Sequence, residues 1–238
     1  MKLALASKKF INNNIKHNLQ TIFASMESAK KKNVDFVCFG EAFLQGFDAL
    51  KWRYEIDKDR GLSLSSQYIL EILIKSKELS IGLMFGYIER EEENLYSSYL
   101  VIDSGEIIHN YRRISKGWKN HFITDFHYKE GTDVIPFNLK GKKVLIAICG
   151  DLWDYPERFK LGQDLLIWPV YLNYDIDEWI NREKKDYCLH ANKICKNVVL
   201  INSFSDNPVA LGGCYYFKNG SIAQLLEMGI EDLLIIEY

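Results

Sequence analysis

Residues 144–151 read Val144-Leu145-Ile146-Ala147-Ile148-Cys149-Gly150-Asp151, an apolar run that ends in a thiol and a polar turn. A continuous apolar run is typical of a strand covered on both faces of a sheet. A second run, residues 34–39, ends in Gly40 and Glu41 in the same way. Strand ends are where α/β enzymes place their chemistry. A thiol nucleophile needs a base to take its proton, and these two strand ends supply Cys149 and Glu41.

The pattern on either side of these runs predicts an α/β fold, because each half of the chain alternates strands with amphipathic helices. Strands are predicted at residues 3–6, 34–39, 81–88, 95–103, 106–114, 144–148, 165–168, 198–202, 211–217, 221–227 and 233–237, and helices at residues 15–32, 65–79, 154–161 and 177–196. Two such halves predict a four-layer α-β-β-α sandwich, with two sheets face to face and helices outside. No linker interrupts the pattern, so we expect one domain over residues 1–238.

Composition excludes several classes of protein. A net charge of −2 gives no electrostatic basis for binding nucleic acid or an anionic membrane, and no apolar run approaches the ~20 residues that span a bilayer. Residues 1–6 are too short for a signal peptide, so a cytoplasmic protein is expected. The five cysteines have no CxxC spacing, the histidines have no metal-ligand spacing, and no phosphate-binding glycine loop is present. Neither a metal nor an organic cofactor is predicted.

Each candidate residue has a structural alternative. Glu41 suits a general base if it is buried among its apolar neighbours, but a strand-end glutamate also often faces water. Cys149 precedes free backbone N–H groups that can hold an oxyanion, although a buried structural cysteine would fit the pattern too. The cations of residues 107–119 can stabilise developing negative charge or simply form a solvated surface. A Cys–His dyad with His121 or His127 also stays open.

Taken in order, these segments resemble the nitrilase superfamily of carbon–nitrogen hydrolases. Residues 35–46 are similar to its glutamate segment, with Glu41 at the position of the base. Residues 149–157, Cys-Gly-Asp-Leu-Trp-Asp-Tyr-Pro-Glu, are similar to its cysteine segment. The likeness extends over nearly the whole chain, and it implies a nitrilase-like sandwich that forms a homodimer or a higher homo-oligomer.

The lysine segment departs from the resembled pattern. The family's usual Tyr-Arg-Lys is matched by Tyr111-Arg112-Arg113, so an arginine stands at the lysine position. Arginine keeps the positive charge but cannot lose its proton. Lys116, three residues on, is an alternative cation, and the sequence slightly favours it over Arg113. Gly150 replaces a common aromatic residue, and Asp125 is the nearest acid to a second family glutamate.

The resemblance implies a thiol hydrolase that cleaves a non-peptide carbon–nitrogen bond, most simply that of a small amide, through a thioester on Cys149. The alternative is a catalytically impaired protein of the same fold with a binding or regulatory role, which the arginine at position 113 motivates. Nitrile hydrolysis by the same thiol is a third interpretation. Which amide, carbamoyl compound or nitrile is the substrate cannot be read from the sequence. Polar or aromatic side chains expected near a substrate are Trp118, Asp125, Trp153 and Tyr171, with Asn173 and Trp179 as further candidates, although such aromatic residues often belong to the core.

Overall fold

Two six-stranded sheets form the centre of the molecule, and the computed structural model describes all 238 residues. The first sheet has the order β14-β1-β2-β3-β4-β5. Its strands are β1 (Lys2–Ser7), β2 (Phe36–Cys38), β3 (Gly82–Glu91), β4 (Asn94–Asp103), β5 (Glu106–Arg112) and β14 (Asp232–Glu237). β1, β2 and β3 are parallel, whereas β4, β5 and β14 join antiparallel to their neighbours.

The second sheet repeats this design. Its order is β13-β12-β9-β8-β7-β6, again with three parallel strands at its centre and antiparallel strands at its edges. Its strands are β6 (Phe137–Leu139), β7 (Lys142–Ile146), β8 (Leu165–Val170), β9 (Asn197–Asn202), β12 (Cys214–Lys218) and β13 (Ser221–Leu226), and a separate pair is formed by β10 (Phe204–Asp206) and β11 (Val209–Leu211). The predicted repetition of the two halves is confirmed.

Helices cover the sheets and connect the parallel strands. They are α1 (Ile15–Lys30), α2 (Tyr54–Asp57), α3 (Gln67–Leu79), α4 (Asp151–Asp154), α5 (Ile176–Glu178) and α6 (Lys184–Asn192), with short 3-10 turns at Lys116–Trp118 and Pro156–Phe159. α1 begins at Asn14, whose side-chain oxygen accepts the backbone N–H of His17 and so caps the helix. No helix of the chain is both long and apolar enough to cross a bilayer.

Alternation along β1 shows how the layers are assembled. Leu3 and Leu5 point into the core between the two sheets, whereas Ala4 and Ala6 point outward against α1 and α3. Side chains of both sheets, such as Met84 from β3 and Ile167 from β8, share the inner core. The predicted four-layer α-β-β-α sandwich, with sheets face to face and helices outside, is therefore confirmed.

Several element bounds differ from the prediction. β7 ends at Ile146 rather than at Ile148, so Cys149 lies in the turn after the strand. The helix after it begins at once, at Asp151, and not at residue 154. Within the helix predicted at residues 177–196, Ile180 is 45% exposed, whereas its neighbour Trp179 is buried. The reason is a π-helical turn at Trp179–Glu183, whose extra residue shifts the helical phase.

Two hairpins of the fold turn on a dipeptide that contains glycine. Ser104-Gly105 joins β4 to β5, and Asn219-Gly220 joins β12 to β13. All four residues have positive φ, from 51° to 87°. Two central residues in this region give a turn whose twist matches that of the flanking strands, which is why glycine and asparagine are favoured there.

Candidate active site

Glu41 lies at the end of the first sheet's central strand, in a very crowded segment. The chain runs from β2 through Gly40, where a Cβ would lie 2.6 Å from the Ser203 hydroxyl. Gly86 of β3 supports the next residues, because a Cβ there would lie 2.8 Å from the Cα of Glu41. This packing leaves Glu41 only 2% exposed. A carboxylate has thus been placed in the interior, where the charged form is poorly solvated.

The Glu41 carboxylate has one paired oxygen and one free oxygen. Oε1 accepts a hydrogen bond from Nη1 of Arg113 at 2.7 Å, and the Arg113 side chain is 4% exposed. Oε2 is buried with no conventional hydrogen-bond partner. Buried carboxylate oxygens without partners are uncommon in folded proteins and call for an explanation. The thiol of Cys149 is among the groups that lower the pKa of this carboxyl group, after Arg113.

Cys149 differs from the other cysteines in its exposure and backbone. It is the one cysteine of five that is not buried. Its φ of +45° lies in the left-handed region, which side chains other than glycine enter at a cost of about 1–3 kcal/mol. The turn is held by its own N–H, which donates to the Pro169 carbonyl at 2.9 Å, and by its carbonyl, which accepts from the Trp168 indole at 2.9 Å. The surrounding structure therefore imposes this conformation on the thiol.

Asp151 connects the cysteine turn to the segment that carries Arg113. Its Oδ2 accepts hydrogen bonds from the N–H of Ile148 at 2.9 Å and from the hydroxyl of Tyr111 at 2.6 Å. Its Oδ1 accepts the backbone N–H groups of Ile114 at 3.1 Å and Ser115 at 2.7 Å. Burial raises the pKa of Asp151, while Arg113 and these donors act in the opposite direction. One buried carboxylate thus fixes the position of Arg113 relative to Cys149.

Electrostatics leave a proton on the thiol at neutral pH. Burial, and then the negative charge of Glu41, raise the pKa of Cys149 to about 12, although Arg113 and the backbone N–H of Tyr171 favour the thiolate. Burial also raises the pKa of Glu41 above its ordinary value, against the opposing effects of Arg113 and of a hydrogen bond with Cys149. A protonated thiol near a buried carboxylate is an arrangement that suits general-base assistance.

Comparison with known proteins agrees with this geometry. The model of the carbon–nitrogen hydrolase family matches residues 3–159, which is more than half of the chain. The chain belongs to the carbon–nitrogen hydrolase family. The family prediction made from the order of the glutamate and cysteine segments is therefore confirmed.

Relatives of this carbon–nitrogen hydrolase carry two kinds of name. A glutamine-dependent NAD(+) synthetase of Thermotoga maritima is 25% identical over 142 residues, which cover 58% of this chain and 23% of that protein. A nitrilase of Meyerozyma guilliermondii is 26% identical over 164 residues, which cover 65% of this chain and 52% of that protein. The chain thus matches about a quarter of the synthetase and half of the nitrilase.

Solved structures share the fold over the whole chain. The glutamine-dependent NAD+ synthetase of Acinetobacter baumannii has a TM-score of 0.82 at 22% identity, covering 98% of this chain and 44% of that one. A carbon–nitrogen hydrolase of Helicobacter pylori has a TM-score of 0.80 at 17% identity, covering 99% and 87%. A nitrilase-superfamily amidase of Nesterenkonia has a TM-score of 0.76 at 15% identity, covering 99% and 89%. The architecture is therefore nitrilase-like.

The structure does not bring the side chain of Lys116, which the sequence slightly favours as the cation of the site, to Glu41. Lys116 is exposed, and it enters the hydrogen-bond network only through its carbonyl, which pairs with the ring of His121. Arg113 lies on Glu41 instead. The two backbone hydrogen bonds that Asp151 makes to residues 114 and 115 fix the chain here, so the loop does not bend to bring Lys116 inward.

The Cys–His dyad is also excluded by the positions of the histidines. His121 lies at the surface against Lys116. His127 stacks on Tyr54 with ring centroids 3.6 Å apart and pairs with Asp125. The charged groups that act on the pKa of Cys149 are Glu41, which raises it, and Arg113, which lowers it, and no histidine is among them.

Two of the four expected substrate neighbours lie close to the catalytic candidates. Trp118 lines a cavity of about 10 Å³ beside Glu41. Tyr171 directs its backbone N–H to Cys149, and its ring stacks on Phe47, a further residue of the cavity wall, with centroids 3.8 Å apart. Sequence analysis did not single out the rest of that wall, which includes Ala42, Leu50, Trp52, Ile88 and Ser97. Apolar residues at these positions look like ordinary core in a sequence.

The other candidates lie elsewhere. Asp125 is largely exposed and accepts the backbone N–H of His127 at 3.0 Å. Trp153 is 42% exposed and stacks on His190. Asn173 is exposed, and Trp179 is a core residue whose indole donates to the Tyr215 hydroxyl. None of these four lines the cavity beside Glu41, so their predicted place beside the substrate is corrected.

Proposed function

We propose that this carbon–nitrogen hydrolase cleaves the amide bond of a small carboxamide through a thioester on Cys149, with Glu41 as general base. The observation that carries the proposal is the divided Glu41 carboxylate, in which Arg113 holds one oxygen and the other is left for the thiol of Cys149. A base needs both a fixed position and a free lone pair, and this arrangement supplies the two together.

The proposed reaction has two stages. Glu41 takes the thiol proton while the sulfur of Cys149 attacks the amide carbon, and the carbonyl oxygen becomes an oxyanion. The C–N bond then breaks, the proton on Glu41 moves to the leaving nitrogen, and an acyl thioester remains. Glu41 next takes a proton from water, whose oxygen attacks the thioester carbon. The C–S bond then breaks, and the proton on Glu41 returns to the sulfur of Cys149. The products are a carboxylic acid, ammonia or an amine, and the restored thiol.

The oxyanion is held by positive charge and backbone donors. Gly150 directly follows the nucleophile and opens α4, so its N–H lies beside the reacting atoms. Arg113 brings a cation next to both Glu41 and Cys149, as its effect on their pKa values shows. Preorganised donors of this kind typically contribute about 10²–10³-fold each to the rate of acyl transfer.

Small primary amides are the substrates that we would test first. The cavity beside Glu41 has a volume of only about 10 Å³, room for roughly one water molecule, and Cys149 does not line it. An amide must therefore displace side chains of its mostly apolar wall, and the smallest amides require the least displacement. Two relatives are named glutamine-dependent NAD(+) synthetases, and the side chain of glutamine ends in a primary amide. Glutamine therefore belongs in the panel beside formamide, acetamide and propionamide, with N-carbamoyl compounds and nitriles for the other chemistries.

Ammonia release from this panel tests the proposal. The wild-type protein is expected to release ammonia from at least one primary amide, and Cys149→Ala is expected to abolish that release. Cys188→Ala is the matched control, because it removes a buried thiol on α6, away from the site, and should retain activity. Equal release from wild type and Cys149→Ala would refute the thiol mechanism.

The alternative is a binding protein with an impaired site. It is favoured by Arg113, whose guanidinium cannot act as a proton shuttle as a lysine could. Under this alternative no compound of the panel releases ammonia, yet an amide of the panel raises the melting temperature of the protein.

A further inference from the structure

Gly150 has a backbone that does not require glycine. Its φ of −65° and ψ of −11° are helical values that any L-residue adopts. Glycine is usually retained for positive φ or for lack of space, and here only the second reason remains. At this residue, which immediately follows the nucleophile, another group fills the space that a side chain would take.

Arg113 occupies that volume. A Cβ on Gly150 would lie 2.8 Å from Nη2 of Arg113 and 3.3 Å from Oγ of Ser115. A Cβ on Gly117 would lie 3.2 Å from the same Nη2, with no other atom within 4 Å. Ser115 adds a hydrogen bond, since its Oγ accepts from Nε at 2.7 Å. Three small residues thus enclose one guanidinium group.

The nitrogens of Arg113 have separate partners. Nε donates to Ser115, and Nη1 donates to Glu41. Nη2 makes no hydrogen bond within the protein and lies against Gly150, next to Cys149. An arginine is planar and permanently charged, so fixing two of its nitrogens also fixes the direction of the third. The free donor is therefore held in place beside the nucleophile.

We propose that Ser115, Gly117 and Gly150 form a guanidinium seat, which lets Arg113 work where the resembled family has lysine and directs Nη2 at the developing oxyanion. The inference rests on the proposed function for the identity of that oxyanion. Gly150 and Ser115 are positioning residues, because they act through Arg113. Arg113 and Gly150 form one functional unit: the arginine requires the glycine, and a shorter lysine does not.

A double-substitution cycle tests the seat without requiring a known substrate. The four proteins are the wild type, Gly150→Ala, Arg113→Lys and the double variant, each checked by circular dichroism and melting temperature. The measurement is the alkylation rate of Cys149 by anionic iodoacetate relative to neutral iodoacetamide, after subtraction of the rate in Cys149→Ala. A donor beside the thiol favours the anionic reagent, so this ratio reports Nη2 and is insensitive to a small loss of stability.

The wild type is expected to prefer iodoacetate, and Gly150→Ala is expected to lower that preference by about tenfold because the new Cβ displaces Nη2. In the Arg113→Lys background the same alanine should change the ratio by less than about twofold, since lysine leaves the space empty. Gly117→Ala, with its longer 3.2 Å approach, should give a smaller loss in the same direction. Equal effects of Gly150→Ala in both backgrounds, or no wild-type preference for iodoacetate, would overturn the seat.

The outcome is separable from that of the proposed function. Coupling between Arg113 and Gly150 in alkylation, with no ammonia from any amide, would support the seat and count against hydrolysis. Ammonia release together with independent effects of the two substitutions would support hydrolysis and reject the seat.

Discussion

Arg112 and Arg113 are neighbours at the end of β5, and each binds a buried glutamate, yet on opposite sides of the sheet. Arg112 holds Glu89 through Nε at 2.9 Å and Nη2 at 2.7 Å. Arg113 holds Glu41 through Nη1 alone, at 2.7 Å. Glu89 and Glu41 are both 2% exposed. The same pair of residue types therefore occurs twice, and the difference lies in what else each pair contacts.

The outer pair, Arg112 and Glu89, has all of its carboxylate positions filled by hydrogen bonds. Glu89 also accepts from the Ser98 hydroxyl at 2.6 Å and the Asn110 amide at 3.0 Å, so both oxygens have two donors. It lines a groove of about 380 Å³, which includes neither Glu41 nor Cys149. The inner pair, Arg113 and Glu41, keeps a free carboxylate oxygen and a free guanidinium nitrogen beside a thiol. The proposed active site is thus the pair whose donors and acceptors are incompletely matched, not the pair whose ion pair is best formed.

The largest expected effect separates the two glutamates. Glu41→Gln should keep the fold, because the amide oxygen still accepts from Arg113 and the amide nitrogen takes the place of the unpaired oxygen. Activity should fall by about 10²–10⁴-fold, since the base is lost. Glu89→Gln should instead lower stability and leave activity nearly unchanged. Whichever oxygen the amide nitrogen replaces, it would face hydrogen-bond donors, which costs about 1–3 kcal/mol of stability, while activity stays within a few-fold. Urea denaturation and kcat/KM measured on both variants check this prediction, and an active Glu41→Gln would contradict the base assignment.

A second prediction concerns pH. Burial raises the pKa of Glu41 above its ordinary value of 4.5, and Arg113 partly opposes that rise. A base works when ionised, so kcat/KM should increase with pH through the pKa of Glu41. Arg113→Ala removes the opposing charge and should move this acid limb to higher pH. The loss of unfolding free energy in Arg113→Ala should also depend on pH. It should be smallest below pH 4.5, where the Glu41 carboxyl is protonated in both the folded and the unfolded states, and it should grow as the pH rises.

Arg112→Ala provides the control for this pH profile. It lies on the other side of the sheet, so it should lower the melting temperature without moving the acid limb. A limb that stays in place in Arg113→Ala, or moves equally in both variants, would contradict the assignment of this limb to Glu41.

The smallest expected effect is that of Lys116→Ala. Its side chain is exposed and its ammonium takes part in no ion pair. We therefore expect kcat/KM to change by less than about twofold and the free energy of unfolding by less than about 0.5 kcal/mol. A tenfold loss of kcat/KM would restore Lys116 as a cation of the site and weaken the contrast between Arg112 and Arg113.

Strand prediction succeeded where the signal was local. The apolar runs at residues 34–39 and 144–148 correspond to β2 and β7, and Glu41 and Cys149 follow the ends of these two strands. The long helix was less accurately predicted, because a π-helical turn changes the hydrogen-bond register without changing the residue types that a periodicity analysis counts.

Contacts distant in sequence were beyond such analysis. Asp151 was quoted as part of the cysteine segment but given no role, and its hydrogen bonds to Tyr111, Ile114 and Ser115 span 36 to 40 residues. The reason for glycine at position 150 is a contact with Arg113. Nothing in the sequence indicates that Gly150 and Arg113 are in contact, since both residue types are also common at the surface.

The sequence by itself determined the layered α/β fold, the family and the two strand ends that carry a carboxylate and a thiol, because short-range periodicity and ordered segments specify them. Only the tertiary structure decided which cation serves the site. Successive residues of a strand point to opposite faces, so Arg112 and Arg113 must separate, but which of them turns inward depends on the packing of β5 against the second sheet. Burial and long-range hydrogen bonds then placed Arg113 on Glu41, fixed it through Asp151 and left Lys116 in solvent.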